Sequence, residues 1–232
     1  MKRHLFIFDI DGTLVLSGGV GRDALERAVL KHYGLTDPFD GYHFHGKTDP
    51  QIVSDMHERH GLGPVDAAQM RVVLDDYLVE LAALIGEAPR YRVLSGVREW
   101  VEELAARDPR SLGLATGNLL RGAELKLVRG DLWRYFRFGG FSSDHPDRQA
   151  LTRLAVARGY ESVGERVPPE RTFVIGDTPE DVRCALGAEA TPVGVTTGRH
   201  SADELRAAGC ELVFDSMRAV AAHFNGSGLV RR

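Results

Sequence analysis

Short apolar runs alternate with amphipathic stretches along most of the chain, a pattern typical of strands that alternate with helices. The first run is Leu5-Phe6-Ile7-Phe8, whose aromatic and branched side chains predict a short buried strand. Further strands are predicted at 111–115, 135–141, 172–175, 192–195 and 212–214. Helical patterns stand between them at 97–104, 120–128 and 148–158, after Thr178, and after the capping box that begins at Ser201. We therefore expect an α/β fold with a mostly parallel sheet covered on both faces.

The stretch from residue 16 to residue 90 breaks this alternation, because it contains helical patterns and no convincing strand. Helices are predicted at 23–33, 49–59 and 65–85. The second has an N-cap acid, Asp49, followed by Pro50, a common way for a helix to begin. The chain should therefore have two domains: a Rossmann-like, doubly wound core made of residues 1–15 and 91–232, and an inserted all-helical domain at 16–90.

Polar residues follow three of the predicted strands, where parallel sheets usually bind ligands. Asp9 and Asp11 end the first strand, and their mutual repulsion calls for a cation such as a divalent metal ion. The stretch 116–118 follows another strand and has a hydroxyl and backbone N–H groups suited to an anion. Asp177 and Asp181 follow a third. Each stretch alone also fits ordinary turn or helix-cap chemistry, but three such strand ends in one fold favour a functional site.

Composition narrows the class of protein. The net charge is −4, with 29 basic and 33 acidic residues among 232, so no electrostatic footprint for nucleic acid or an anionic membrane is expected. The two cysteines, Cys184 and Cys210, lack metal-ligand spacing and are predicted to be core thiols in a reducing, cytoplasmic setting. The first apolar run ends too early for a signal peptide, and no transmembrane stretch is evident. The chain from Asn225 onward is expected to be a loose terminus.

The segment Asp9-Ile10-Asp11-Gly12-Thr13-Leu14 resembles the first motif, DxDGT, of the haloacid dehalogenase-like hydrolase superfamily. Thr116 resembles the hydroxyl of the second motif, and Asp177 with Asp181 resembles the acids of the fourth. The helical insert is similar to the small α-helical cap of the phosphoglycolate phosphatase and β-phosphoglucomutase branch. The resemblance extends from Leu5 to about Gly198 and implies a cap that closes over the site.

The third motif of this family normally provides a lysine at a helix start. Arg148 is the best positional match, since Lys126 follows Thr116 too closely. Arginine keeps the positive charge and can bind phosphate through two parallel hydrogen bonds, so function is expected to survive the replacement.

The resemblance also implies a role for each motif residue. Asp9 would attack phosphorus and form an aspartyl-phosphate, and Asp11 would protonate the leaving oxygen and then accept a proton from water. The implied Mg²⁺ ligands are Asp9, Asp177 and the backbone carbonyl of Asp11, with Asp181 in support. The implied phosphate-binding groups are Thr116, Gly117, Asn118 and Arg148.

Two features of the insert have more than one interpretation. Lys47, within Gly46-Lys47-Thr48-Asp49, is a candidate for substrate contact, although an ordinary surface lysine is the simpler interpretation. His43 and His45 could form a metal pair or a substrate wall, but no further ligands lie nearby in the sequence, which favours ordinary residues of the insert.

The leading hypothesis is a Mg²⁺-dependent phosphatase acting on a small phosphorylated metabolite, such as phosphoglycolate or a sugar phosphate. A phosphomutase of the β-phosphoglucomutase type is the enzymatic alternative, and phosphonate hydrolysis through an imine on Lys47 stays formally open. A dehalogenase is disfavoured because, by resemblance, that branch lacks the acid at the position of Asp11. A catalytically idle binding protein is disfavoured because Asp9, Asp11 and Asp177 are all retained. No feature of the sequence indicates the oligomeric state.

Overall fold

The computed structural model describes residues 3–226 and contains a six-stranded parallel sheet. The sheet strands are β1 (Leu5–Phe8), β4 (Leu112–Ala115), β5 (Phe138–Gly140), β6 (Thr172–Gly176), β7 (Thr191–Val195) and β8 (Leu212–Phe214); β2 (Val15–Leu16) and β3 (Arg92–Val93) form a separate antiparallel pair. The order across the sheet is β5-β4-β1-β6-β7-β8, so β1 is central and lies between β4 and β6. The predicted α/β fold with a parallel sheet is therefore confirmed.

Helices connect the strands and cover the sheet. They are α1 (Val20–Tyr33), α2 (Asp49–Arg59), α3 (Ala67–Ile85), α4 (Val97–Arg107), α5 (Leu120–Arg129), α6 (Arg148–Val163), α7 (Pro179–Gly187), α8 (Ala202–Ala207) and α9 (Met217–Gly226). Short 3₁₀ turns occupy Trp133–Tyr135 and Pro169–Arg171. The predicted caps at Thr178 and Ser201 are present, and each closes a capping box with the residue three positions on. The N-cap predicted at Asp49 is wrong by one residue, because Thr48 caps α2 and closes the box with Gln51, which leaves Asp49 as the first helical residue.

Both faces of the sheet are buried, which explains why its strands are continuously apolar. Phe6 and Phe8 point into a large cluster with Trp100 of α4 and Phe224 of α9. Ile7 points to the opposite face, where side chains of α6 and α7 pack against it. The sheet is thus wound on both sides, as the Rossmann-like prediction requires.

Helices α1, α2 and α3 form a layer of their own, which we call the helical layer, between β2 and β3. They bury a separate apolar cluster that includes Val29, Phe39, Met56 and Leu81. The β2–β3 pair joins both ends of this layer to the sheet, because Val15 pairs with Val93 at the point where the chain leaves and returns. The layer therefore lies beside the carboxyl end of β1, and the chain enters and leaves it at the same place.

A few local predictions differ from the structure. The predicted strand at 135–141 is shortened to β5, because Trp133–Tyr135 forms a 3₁₀ turn. Asn225 and Gly226, predicted to be loose, end helix α9, and the remaining predicted tail lies outside the described residues. Cys184 and Cys210 are buried and unbridged, as predicted. Between residues 3 and 226, no helix is long and apolar enough to cross a membrane.

Candidate active site

The polar ends of β1, β4 and β6 meet because these three strands are neighbours in the sheet. Above them, between the sheet edge and the helical layer, lies a cavity of about 610 Å³. Its lining includes the predicted residues Asp9, Asp11, Lys47, Thr116, Gly117, Asn118, Arg148 and Asp177. Asp181 does not line the cavity but bonds Arg148, which does. The structure thus brings all of the predicted site residues except Asp181 to one cavity, and Asp181 lies directly behind its lining.

Asp9 lies at the floor of the cavity, bonded to a buried arginine. Arg148, at the start of α6, donates from one guanidinium nitrogen to Asp9 Oδ1 at 3.0 Å and to Asp181 Oδ1 at 2.5 Å. All three side chains are less than a tenth exposed. Asp181 also closes the capping box of α7, where its Oδ2 accepts hydrogen bonds from Thr178. Both oxygens of Asp181 are therefore engaged, and its contact with Arg148 fixes the guanidinium against Asp9.

Asp177 is positioned by the turn that follows β1. Thr13 Oγ1 donates to Asp177 Oδ1 at 3.3 Å, while Oδ2 is buried without a hydrogen-bond partner in the described chain. Gly12 has a φ of +89°, and a β-carbon there would lie 2.4 Å from Asp177 Oδ2, so only glycine fits. The DxDGT turn therefore places the backbone of Gly12 directly against a carboxylate that has a free oxygen.

The acids at this floor carry more negative charge than one arginine can balance. Burial raises the pKa of Asp9, and the nearby carboxylates add to this effect, while the Arg148 guanidinium opposes it. Burial also raises the pKa of Asp177 well above its usual range, with the charges of Asp181 and Asp9 acting in the same direction. Such a set of groups is stable in its ionised form only with a further positive charge.

A divalent cation fits that requirement. One carboxylate oxygen each from Asp9, Asp177 and Asp181 lies within 4.8 Å of the others, and the unpartnered Oδ2 of Asp177 is available as a ligand. An all-oxygen donor set that leaves room for water and phosphate suits Mg²⁺. The buried acids Asp9 and Asp177, both predicted as metal ligands, thus lie where such a cation would fit.

Asp11 turns away from Asp9 and belongs to a second network. Its Oδ1 accepts from Ser17 Oγ at 2.9 Å, and its Oδ2 accepts from Asn118 Nδ2 at 3.0 Å and from Lys126 Nζ at 2.6 Å. Asn118 in turn donates to Thr116 Oγ1 at 2.8 Å. Burial raises the pKa of Asp11, but Lys126 and the three hydrogen bonds outweigh it, so its pKa lies below the usual value.

The phosphate-binding candidates after β4 are held by the loop that precedes α2. A β-carbon on Gly117 would lie 2.1 Å from the carbonyl oxygen of Lys47, so this close approach requires glycine. Asp49 N–H donates to Gly117 O at 2.8 Å, and Asp49 Oδ2 accepts from Leu119 N–H at 2.8 Å. The loop before α2 therefore forms one wall of the cavity and fixes the turn after β4.

The less specific candidates also line the cavity. The Lys47 ammonium is paired with Asp55 and lies 4.6 Å from the centre of the Tyr42 ring. His43 and His45 contribute to the wall, and among the described residues the acidic triad is the one group of three or more potential metal ligands.

Several cavity residues escaped sequence reasoning. Lys126, set aside as a motif residue, lies at the site through the contacts described above. Its signal was its place on α5, beside Ala123 and Leu127 on the buried face of that helix, where an unpaired lysine is rare. Ser17, Asp49, Arg90, Arg92 and Arg199 also line the cavity. These positions follow from packing between the sheet and the helical layer, which no local pattern indicates.

Comparison with known proteins connects this geometry to one family. A sequence profile described as "Hydrolase: haloacid dehalogenase-like hydrolase" matches residues 4–188. A curated relative from Dickeya dadantii, "Probable phosphatase IndB", is 28% identical over 228 residues, covering 95% of this chain and 94% of its own.

Solved structures give the same fold. A predicted phosphoglycolate phosphatase from Haemophilus somnus has a TM-score of 0.71 at 17% identity, covering 98% of this chain and 99% of its own. A putative β-phosphoglucomutase from Bacteroides vulgatus also has a TM-score of 0.71, at 16% identity, with 100% and 91% covered. CbbY from Rhodobacter sphaeroides, solved with xylulose-1,5-bisphosphate, has a TM-score of 0.71 at 19% identity, with 93% and 95% covered. At these identities the likeness establishes a shared fold.

Proposed function

The chain belongs to the haloacid dehalogenase-like hydrolase family, and from this premise we propose that it is a Mg²⁺-dependent phosphatase of small phosphorylated metabolites. The membership confirms the predicted family and enzyme class. Phosphoglycolate and sugar phosphates are the substrates proposed first, in keeping with the names of the related structures. The observation that carries the proposal is the separation of the two acids, since Asp9 lies with Arg148 and Asp11 faces the cavity beside Asn118.

In the first proposed step, a carboxylate oxygen of Asp9 attacks phosphorus. The bond between phosphorus and the leaving oxygen breaks, and that oxygen takes a proton from Asp11, which releases an alcohol. Because the pKa of Asp11 lies below its usual value without substrate, Asp11 must gain this proton as the negatively charged phosphate enters the cavity. Arg148, Thr116 and the backbone N–H groups of Gly117 and Asn118 would neutralise the phosphoryl oxygens as charge develops. Asp9 then carries an aspartyl-phosphate and Asp11 is ionised.

In the second proposed step, water attacks the phosphorus of the aspartyl-phosphate. Asp11, now a carboxylate, takes the proton of the water, and inorganic phosphate leaves with the Asp9 carboxylate restored. Asp9, Asp177 and the backbone carbonyl of Asp11 would hold Mg²⁺, with Asp181 in support through its hold on Arg148. When bound, the cation supplies the positive charge that keeps Asp9 ionised and shields the phosphoryl group.

The helical layer is proposed to act as a cap, with the domain boundaries at residues 16 and 90. It forms the far wall of the cavity, and both of its chain connections to the sheet run through the β2–β3 pair. Closure of such a layer would exclude water from the first step and contact the leaving group. Substrate selection would then rest on cavity residues of the layer, with Lys47, His43 and His45 as the candidates.

Phosphate release from a metabolite panel tests the proposal. The panel would contain 2-phosphoglycolate, sugar monophosphates and sugar bisphosphates, each assayed with Mg²⁺ and with a chelator. We expect release that needs Mg²⁺ and that falls by at least about 10³-fold in Asp9→Asn, because the variant lacks the nucleophile. Asp23→Asn, a change to an exposed acid on α1, is the matched control and should keep wild-type activity.

Unchanged turnover in Asp9→Asn would contradict the mechanism. Release that persists in the chelator would contradict the metal requirement alone. If no member releases phosphate while a sugar monophosphate isomerises when primed with its bisphosphate, the enzyme is a mutase, which shares the first step and differs in how well it shields the aspartyl-phosphate from water.

A further inference from the structure

Lys126 is a buried cation that the proposed mechanism leaves without a task. It lies on α5, outside the DxDGT turn and the other motif positions, and its side chain is 6% exposed. A lysine this deeply buried is rare unless its charge is compensated, because removal of an ammonium group from water is costly. Its Nζ donates to Asp11 Oδ2 and to Asn118 Oδ1, both at 2.6 Å. The ammonium is therefore held between two partners at the cavity wall.

The contacts of Lys126 complete a closed network around Asp11. Asn118 bonds both the ammonium of Lys126 and the carboxylate of Asp11, so the three side chains form a ring of hydrogen bonds. Ser17 holds the other carboxylate oxygen of Asp11. Together these bonds fix both oxygens, although the Asp11 side chain is more than a third exposed to the cavity. A half-exposed aspartate without such bonds would sample several rotamers.

The two acids of the DxDGT turn are thus held by two different cations. Arg148 bonds Asp9 and Asp181 at the floor, whereas Lys126 bonds Asp11 at the wall. Arg148 is the positional match to the third motif of the family, whereas Lys126 lies on α5, which contains none of the motif residues. In the proposed mechanism this division connects Lys126 to Asp11 alone, which gives a proton to the leaving oxygen and later accepts one from water.

We propose that Lys126 is a positioning residue that, with Asn118, holds the Asp11 carboxyl in the orientation for proton transfer to the leaving oxygen. The inference rests on the proposed phosphatase function. Proton transfer by a well-placed side chain contributes about 10²- to 10⁴-fold to rate, and depends on heavy-atom distances of hydrogen-bond length. Loss of Lys126 frees the Asp11 side chain and should weaken this contribution, while Asp9 and Arg148 keep their contacts with each other.

The leaving group provides the readout. An alkyl phosphate such as 2-phosphoglycolate must receive a proton as its oxygen departs, whereas 4-nitrophenyl phosphate releases a stabilised phenolate that needs none. We expect Lys126→Met to lower kcat/KM, which reports formation of the aspartyl-phosphate, by about 10²-fold for the alkyl ester and by less than about fivefold for the nitrophenyl ester. A merely structural role for Lys126 would lower both rates together.

Controls separate position from folding. Arg121→Met, a change to an exposed cation of the same helix that pairs with Glu124, should leave both rates at their wild-type values. Lys126→Gln keeps a hydrogen-bond donor near Asp11 and serves if Lys126→Met unfolds; it should show the same preference for the nitrophenyl ester to a smaller degree. The double variant Asp11→Asn with Lys126→Met should hydrolyse the alkyl ester no more slowly than Asp11→Asn alone, because Lys126 acts only through Asp11.

Equal losses on the two esters in the folded lysine variants would overturn the positioning role, as would full additivity with Asp11→Asn. If the wild-type protein hydrolyses both esters, either of these outcomes overturns the role of Lys126 and leaves the proposed function intact. A wild-type protein that hydrolyses neither ester overturns the function and the role of Lys126 together.

Discussion

At the scale of single residues, the stability of the site depends on one cation, Arg148, that balances two buried acids. Arg148 is the sole basic side chain in contact with Asp9 and Asp181 in the described structure, and one guanidinium nitrogen bonds both. Arginine suits this position because its charge is permanent and its planar group presents several donors at fixed angles. Arg148 therefore supplies a permanent charge at the floor and ties Asp181 to Asp9, the proposed nucleophile.

Replacement of Arg148 by methionine should destabilise the protein strongly. It leaves Asp9 and Asp181 buried without their shared partner, and breaking a buried ion pair in this way costs about 3–5 kcal/mol. Urea unfolding in a chelator, near neutral pH, measures the change in free energy. Arg166→Met is the control, since Arg166 pairs with Glu189 on the surface and its loss should cost no more than about 1 kcal/mol. Equal losses in the two variants would contradict this account of the floor.

At the scale of elements, the start of α2 joins the helical layer to the sheet. Thr48 Oγ1 donates to Pro146 O at 2.8 Å, and Asp49 bonds Gly117 and Leu119 through its N–H and its carboxylate. The sequence predicts Asp49 only as the N-cap of this helix, whereas in the structure Thr48 is the N-cap and Asp49 bonds the turn after β4. The capping box that begins α2 thus also docks the layer on the turn after β4.

This docking makes stability depend on pH through Asp49. Burial raises the pKa of Asp49 from 3.8 to about 6, although Lys126 and the Leu119 N–H oppose the shift. The folded protein therefore holds a proton that the unfolded chain releases, so this stability is complete below about pH 4 and is lost as pH rises through about 6. Between about pH 4.5 and pH 7.5, wild type should lose about 2 kcal/mol relative to Asp49→Asn.

Urea unfolding of both proteins across this pH range measures the difference. Asp49→Asn keeps an acceptor for the Leu119 N–H, whereas Asp49→Ala removes it and should be less stable than the asparagine variant by about 1–2 kcal/mol at every pH. If the unfolding free energies of wild type and Asp49→Asn change in parallel with pH, the pKa of Asp49 is not raised in the folded protein, which contradicts this account.

At the scale of the whole molecule, the sequence predicts what depends on local pattern. Apolar runs indicate the strands of the sheet, caps indicate the helix starts, and the ends of β1, β4 and β6 indicate where Asp9, Thr116 and Asp177 gather. Lys126 was beyond this reasoning, because its contact with Asp11 depends on how α5 packs beneath the helical layer. The sequence also does not predict the antiparallel β2–β3 pair, since two residues per strand carry no periodicity.

The central claim is that Asp9 forms a covalent aspartyl-phosphate, and trapping that species tests it most directly. Wild-type enzyme turning over its best phosphate ester with Mg²⁺ would be quenched in acid and treated with borohydride, which reduces an acyl phosphate to an alcohol. Mass spectrometry of the tryptic peptide 4–22 would then locate the change. We predict homoserine at position 9 with Asp11 unmodified, and no change in enzyme quenched without substrate. Rapid phosphate release with Asp9 unmodified in the quenched enzyme, or modification of Asp11 in its place, would contradict the account.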